Sequence, residues 1–159
     1  MSGPTVTLAM PSCTSDDSPR LDKLGGDPDV TPLRVLVVDD ESLIVMALND
    51  QLEHLGHEVV ATASTGPEAV ELAEQHQPDL VLMDIHLGGG MDGLEAAAEI
   101  NATRATPIII LTGFTDKALV ERGRSCGVVA HLLKPIDMHD LRMALEIGWK
   151  HFRDSTSRP

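Results

Sequence analysis

The chain has 159 residues, 42% of them hydrophobic, enough to bury a core and compatible with a single domain. Twelve Lys and Arg against 25 Asp and Glu give a formal net charge of −13. That balance argues against direct nucleic-acid binding, which needs a basic face, and suits partners with basic patches. The two cysteines, Cys13 and Cys126, offer neither a disulfide framework nor metal-ligand spacing, as expected in a reducing compartment. No apolar run reaches membrane-spanning length, and no basic start followed by an apolar block marks a secretory signal. A cytoplasmic protein is expected.

Residues 1–32 are dominated by Ser, Thr, Pro, Gly and Asp and bury too little to offset the entropy of ordering, so they read as a flexible leader. Within them only Val6-Thr7-Leu8-Ala9-Met10 has any apolar character. From residue 33 strand-like and helix-like segments alternate. A first strand is predicted at 34–39 and a helix at 42–55, with Ile44, Val45, Leu48, Leu52 and Leu55 on one side and Gly56 as its stop. A second strand follows at 58–63, and a second helix opens at Thr65-Gly66-Pro67-Glu68. A third strand is predicted at 79–84, a Gly-rich loop at 88–90 and a helix at 92–102. Then come a strand at 107–112, a helix at 115–125, a strand at 129–133 and a last helix at 138–152. Residues 33–153 form the predicted domain, and 154–159 a polar tail. Five strands alternating with five helices predict an α/β domain with a parallel sheet covered on both faces.

Chemistry-bearing residues stand at the carboxyl ends of four of these strands. Asp39 and Asp40 follow Arg34-Val35-Leu36-Val37-Val38, and Asp84 follows Leu80-Val81-Leu82-Met83. Thr112 follows Ile108-Ile109-Ile110-Leu111, and Lys134-Pro135 follows Ala130-His131-Leu132-Leu133. In open α/β sheets ligands bind outside the carboxyl ends of the strands. Three carboxylates brought together repel one another, and a hard cation with oxygen ligands, Mg²⁺, relieves that repulsion. Lys134 suits phosphate oxygens as a point charge, Thr112 offers a hydroxyl, and Asp84 can act as a nucleophile toward phosphorus. Singly, each feature has an ordinary explanation. The acid run before a helix could be a cap, Asp84 a turn, and Lys134-Pro135 a strand end. It is their joint order along the chain that points to a phosphoryl site.

That set resembles the receiver domain of bacterial two-component response regulators. The resemblance is carried by Val35-Leu36-Val37-Val38-Asp39-Asp40-Glu41, Leu82-Met83-Asp84-Ile85, Met91-Asp92-Gly93, Pro107-Ile108-Ile109-Ile110-Leu111-Thr112-Gly113 and Leu133-Lys134-Pro135. It implies a doubly wound, flavodoxin-like fold with strand order 2-1-3-4-5. It implies that Asp84 accepts a phosphoryl group from the phosphohistidine of a sensor histidine kinase or a histidine phosphotransfer protein. Asp40, Asp84 and the backbone carbonyl of His86 would ligate Mg²⁺ directly, and Asp39 through a metal-bound water. Thr112 and Lys134 would hold the phosphoryl oxygens.

The chain departs from the family pattern in two places. His86-Leu87-Gly88-Gly89-Gly90-Met91 lacks the usual Met-Pro and is one residue longer. His131 stands where the family places an aromatic switch residue, with Phe114 as the alternative moving group. No output domain is visible after the last helix. The expected output is therefore a protein contact, or onward phosphoryl relay, through the fourth helix, fifth strand and fifth helix; homodimer formation is left open. Near the end of that helix, Trp149 is expected to pack on the core.

Other functions fit the pattern less well. A flavin carrier shares the alternation, but one Trp, two Phe and no Tyr leave little to flank the ring. An aspartyl phosphatase would place a second acid just after its nucleophile, where Ile85-His86 stands here. The remaining alternative is an interaction module that takes no phosphate, although its acid, hydroxyl and ammonium groups are all present.

Overall fold

The structure is a computed structural model that describes residues 32–87, 90–113 and 117–157. Residues 1–31 of the leader, Phe114 and the last two residues lie outside the described residues, as does most of the Gly-rich loop. The elements run β1 (Arg34–Val38), α1 (Ser42–His54), β2 (Glu58–Ala63), α2 (Gly66–His76), β3 (Leu80–Asp84), α3 (Gly93–Thr103), β4 (Ile108–Thr112), α4 (Lys117–Arg124), β5 (Val128–Leu133) and α5 (Met138–Ser157). The five strands form one parallel sheet in the order β2-β1-β3-β4-β5.

The continuous apolar runs become the three inner strands because both of their faces are covered. Leu36, Val38, Val81, Met83, Ile108 and Ile110 face α2 and α3, against Ala69, Ala73, Leu94, Ala97 and Ile100. The alternate residues Val35, Val37, Leu80, Leu82, Ile109 and Leu111 face α1 and α5, against Leu48, Leu52, Leu141 and Leu145. Successive strand residues point to opposite faces, so a strand sandwiched by helices must be apolar at every position. Trp149 packs on the α1/α5 side, as its expected core role requires, and stacks on Phe152 with ring centroids 5.8 Å apart.

Local signals set several helix ends. Gly56 adopts φ 94 just after α1, a conformation that costs glycine little. Thr65 caps α2 by accepting from the Glu68 N–H at 3.3 Å. Asp92 and Glu95 form a reciprocal capping box at the start of α3. The end of α5 differs from expectation. Residues 154–157, read from sequence as tail, continue the helix to Ser157. No Gly or Pro interrupts the chain from Trp149 to Ser157, so propagation through these residues meets no helix breaker.

Candidate phosphoryl-acceptor site

The strand order reverses direction at β1, whose neighbours are β2 and β3. A crevice opens at such a point beyond the carboxyl ends of the strands, and the predicted groups gather there. Asp39, Asp84 and Thr112 are all buried, at 2%, 3% and 1% relative exposure. Asp39 follows β1 directly, its N–H donating to Ala63 O at 3.0 Å. Its Oδ1 accepts from the Glu41 N–H at 2.9 Å, which ties the acid to the turn before α1. The N-cap of α1, Glu41, makes no side-chain capping bond, so the acid run is not spent on capping.

Lys134 is the hub. Its Nζ lies 3.0 Å from Asp39 Oδ2, 3.3 Å from Asp84 Oδ1 and 3.8 Å from Glu41 Oε1. The sheet brings it there: Leu133 pairs with Thr112, and the Lys134 N–H donates to Thr112 O at 2.8 Å. The ammonium and the hydroxyl thus sit on adjacent strand ends. The Lys134–Pro135 peptide is cis. His86 follows on the turn after β3, its N–H donating to Asp84 Oδ1 at 3.3 Å; its carbonyl, predicted as a metal ligand, is carried on this turn. The described contacts of Asp84 fall on Oδ1 and leave Oδ2 without a hydrogen-bond or ion-pair contact among the described residues.

Electrostatics agree with the geometry. Burial pushes the Asp84 carboxyl above its ordinary range and the nearby Asp39 charge adds to this, while Lys134 and the His86 N–H pull the other way. For Lys134 burial acts to lower the pKa, but its bonds and attractions to Asp39 and Asp84 outweigh it, so the ammonium is held above its usual range. The cluster is therefore a strained balance of negative charge around one cation.

The residues fit a divalent cation. Carboxylate oxygens of Asp39, Asp40 and Glu41 come within 4.8 Å of one another. Asp39 Oδ2 is buried, and among the described residues its close contact is the Lys134 ammonium at 3.0 Å. A buried, under-satisfied carboxylate oxygen beside two exposed acids is the donor set a hard cation takes. Asp84 stands outside the trio and is joined to it through Lys134. Glu41 is the residue that sequence reasoning left without a role. Its place as the third acid in Asp39-Asp40-Glu41 was the available signal.

On β5, His131 pairs with Ile110 and is half-buried. Its Nε2 is buried with no hydrogen-bond partner among the described residues, and burial lowers its pKa, which favours a neutral imidazole. Leu133, at the end of β5, and Ile147 of α5 are exposed at 53% and 56%. No helix among the described residues is long and apolar enough to cross a membrane.

Comparison with known proteins agrees with this geometry. The family model for the response regulator receiver domain matches residues 35–146. The transcriptional regulatory protein PdtaR of Mycobacterium tuberculosis is 47% identical over 126 residues, which cover 79% of this chain but only 61% of PdtaR. The polar-differentiation response regulator DivK of Brucella anthropi is 36% identical over 109 residues, 67% of this chain and 88% of DivK. Among solved structures, the signal receiver domain of a modulated diguanylate cyclase from Desulfovibrio desulfuricans G20 aligns with a TM-score of 0.72 and 33% identity, covering 79% of this chain and 99% of that one. With the order β2-β1-β3-β4-β5 and an acid, hydroxyl and ammonium on its carboxyl edge, the chain belongs to the response regulator receiver domain family.

Proposed function

We propose that the chain is a phosphoryl-accepting signalling switch in which Asp84 takes a phosphoryl group from the phosphohistidine of a sensor histidine kinase or a histidine phosphotransfer protein. The observation that carries this reading is the Lys134 ammonium placed between Asp39 and Asp84 at the sheet edge. An Asp84 carboxylate oxygen attacks phosphorus, the new P–O bond forms as the P–N bond breaks, and the donor imidazole leaves with the electron pair. Oδ2 is the attacking atom, because the described contacts of Asp84 all engage Oδ1. Asp39, Asp40, Asp84 and the His86 carbonyl would hold Mg²⁺, which supplies charge neutralisation to the transferring phosphoryl oxygens. Lys134 swings from the carboxylates to a phosphoryl oxygen, and the buried Thr112 hydroxyl takes another.

The chain turns over no substrate of its own beyond loss of that phosphoryl group. Signal passes to a partner protein in the cytoplasm through α4, β5 and α5, where the exposed Leu133 and Ile147 supply apolar contact. Acetyl phosphate with Mg²⁺ is expected to add one phosphoryl group to the intact mass, and Asp84→Asn to abolish the gain. Equal labelling of the Asn variant would overturn the assignment.

A further inference from the structure

We propose that the first residues of α3 form a mechanical link that carries the state of Asp84 to α4, in parallel with Thr112; the inference rests on the phosphoryl-accepting reading above. Gly93, the first residue of α3, donates its N–H to Ile85 O at 2.9 Å. A side chain at Gly93 would run into the carbonyl oxygen of Asp84 and lie 2.9 Å from Ile85 Cα. The helix therefore begins in direct contact with the backbone of the phosphoryl acceptor, with no slack between them. In packed protein, displacement on one side of such a contact is passed to the other.

The residue before Gly93 carries the link onward. Asp92 caps α3: its Oδ1 accepts from the Glu95 N–H at 2.8 Å, and the Glu95 carboxylate accepts from the Asp92 N–H at 2.9 Å. Those two bonds fix the carboxylate on the helix end. Its other oxygen, Oδ2, meets the Arg122 guanidinium of α4 at 3.3 Å. Consecutive residues are thus attached, one to the acceptor backbone and the other to α4. Arg122 and Asp92 have side-chain exposures of 55% and 37%, and pairs this exposed add little to stability. Removing the pair therefore leaves the fold intact, and its effect is read in coupling between the site and α4.

Hydrogen exchange of residues 117–124, with and without beryllofluoride and Mg²⁺, tests the link on the full chain. Arg122→Gln removes the guanidinium. Asp92→Asn removes the charge and keeps a good N-cap residue. Each variant is expected to take acetyl phosphate as wild type does and to reduce the α4 response by about two- to five-fold, the range open to an exposed ion pair. The double variant is expected to lose no more than either alone. Thr112→Ala is expected to keep part of the response, which Arg122→Gln then removes. A wild-type response in both single variants, additive losses in the double variant, or an unresponsive α4 in wild type labelled on Asp84 would each overturn the link and leave the acceptor assignment standing. Failure of wild type to be labelled would overturn the acceptor reading itself, and the link with it.

Discussion

Replacing Lys134 by Gln removes the cation that, among the described residues, touches both buried carboxylates. In wild type its Nζ lies 3.0 Å from Asp39 and 3.3 Å from Asp84, and the Asp39 side chain is wholly buried. At an effective dielectric near 20, each contact is a gross attraction of about 5 kcal/mol, most of it offset by desolvation of the three groups. Taking away one partner of a buried pair typically costs about 3–5 kcal/mol, because an uncompensated charge is left behind. The lower end, about 3 kcal/mol, applies here because Asp84 is already raised by burial and can escape by taking a proton. That loss is equivalent to a fall in melting temperature of about 10 °C for a domain of this size. Urea denaturation in EDTA at neutral pH measures it. Saturating Mg²⁺ should restore more stability to the variant than it adds to wild type, because the cation then supplies the missing charge. The deficit should also shrink as pH falls and Asp84 protonates. A loss below about 1 kcal/mol in EDTA, the scale of an exposed pair, would refute the argument that Lys134 balances buried charge.

Asp84→Asn should raise metal-free stability at neutral pH. The folded-state pKa of Asp84 is above its unfolded value, so its charged form is penalised above that pKa, and the gain over wild type should vanish as pH falls through it. His57 is buried and its Nδ1 accepts from the Leu33 N–H at 3.0 Å. Burial lowers its pKa below 6.5, so its contribution is fully present above that value and lost as pH falls through the depressed folded value. Denaturation curves across this range should show a slope that His57→Gln flattens. Gly93→Ala, facing the rigid carbonyl of Asp84, should cost about 1–3 kcal/mol as an overpacked contact and slow acetyl phosphate labelling; unchanged labelling would separate Gly93 from the acceptor. Thr112→Ala should still gain one phosphoryl group by mass while losing part of the exchange response of α4 to beryllofluoride.

The sequence by itself determined the elements and their chemistry. The strands were legible because Val35 to Val38, Leu80 to Met83 and Ile108 to Leu111 are apolar without a break, which only a doubly covered strand requires. Helix starts at Thr65 and Asp92 followed from side chains that bond their own backbone, a strictly local effect. The acid, hydroxyl and ammonium were legible by their positions at strand ends. The end of α5 was misread because the polar composition of Asp154 to Ser157 suggested tail, whereas helix propagation stops only at a signal the segment lacks. Tertiary structure alone decided that Lys134 would span Asp39 and Asp84, since a register between β4 and β5 sets its height. It also decided that Glu41 turns back toward the acid pair, that Gly93 presses on the acceptor carbonyl and that Arg122 reaches Asp92. Each of these is a meeting of segments distant in sequence or a turn of the backbone between elements. Residue type and periodicity carry no record of either, because such contacts exist only once the sheet has fixed where every strand end stands.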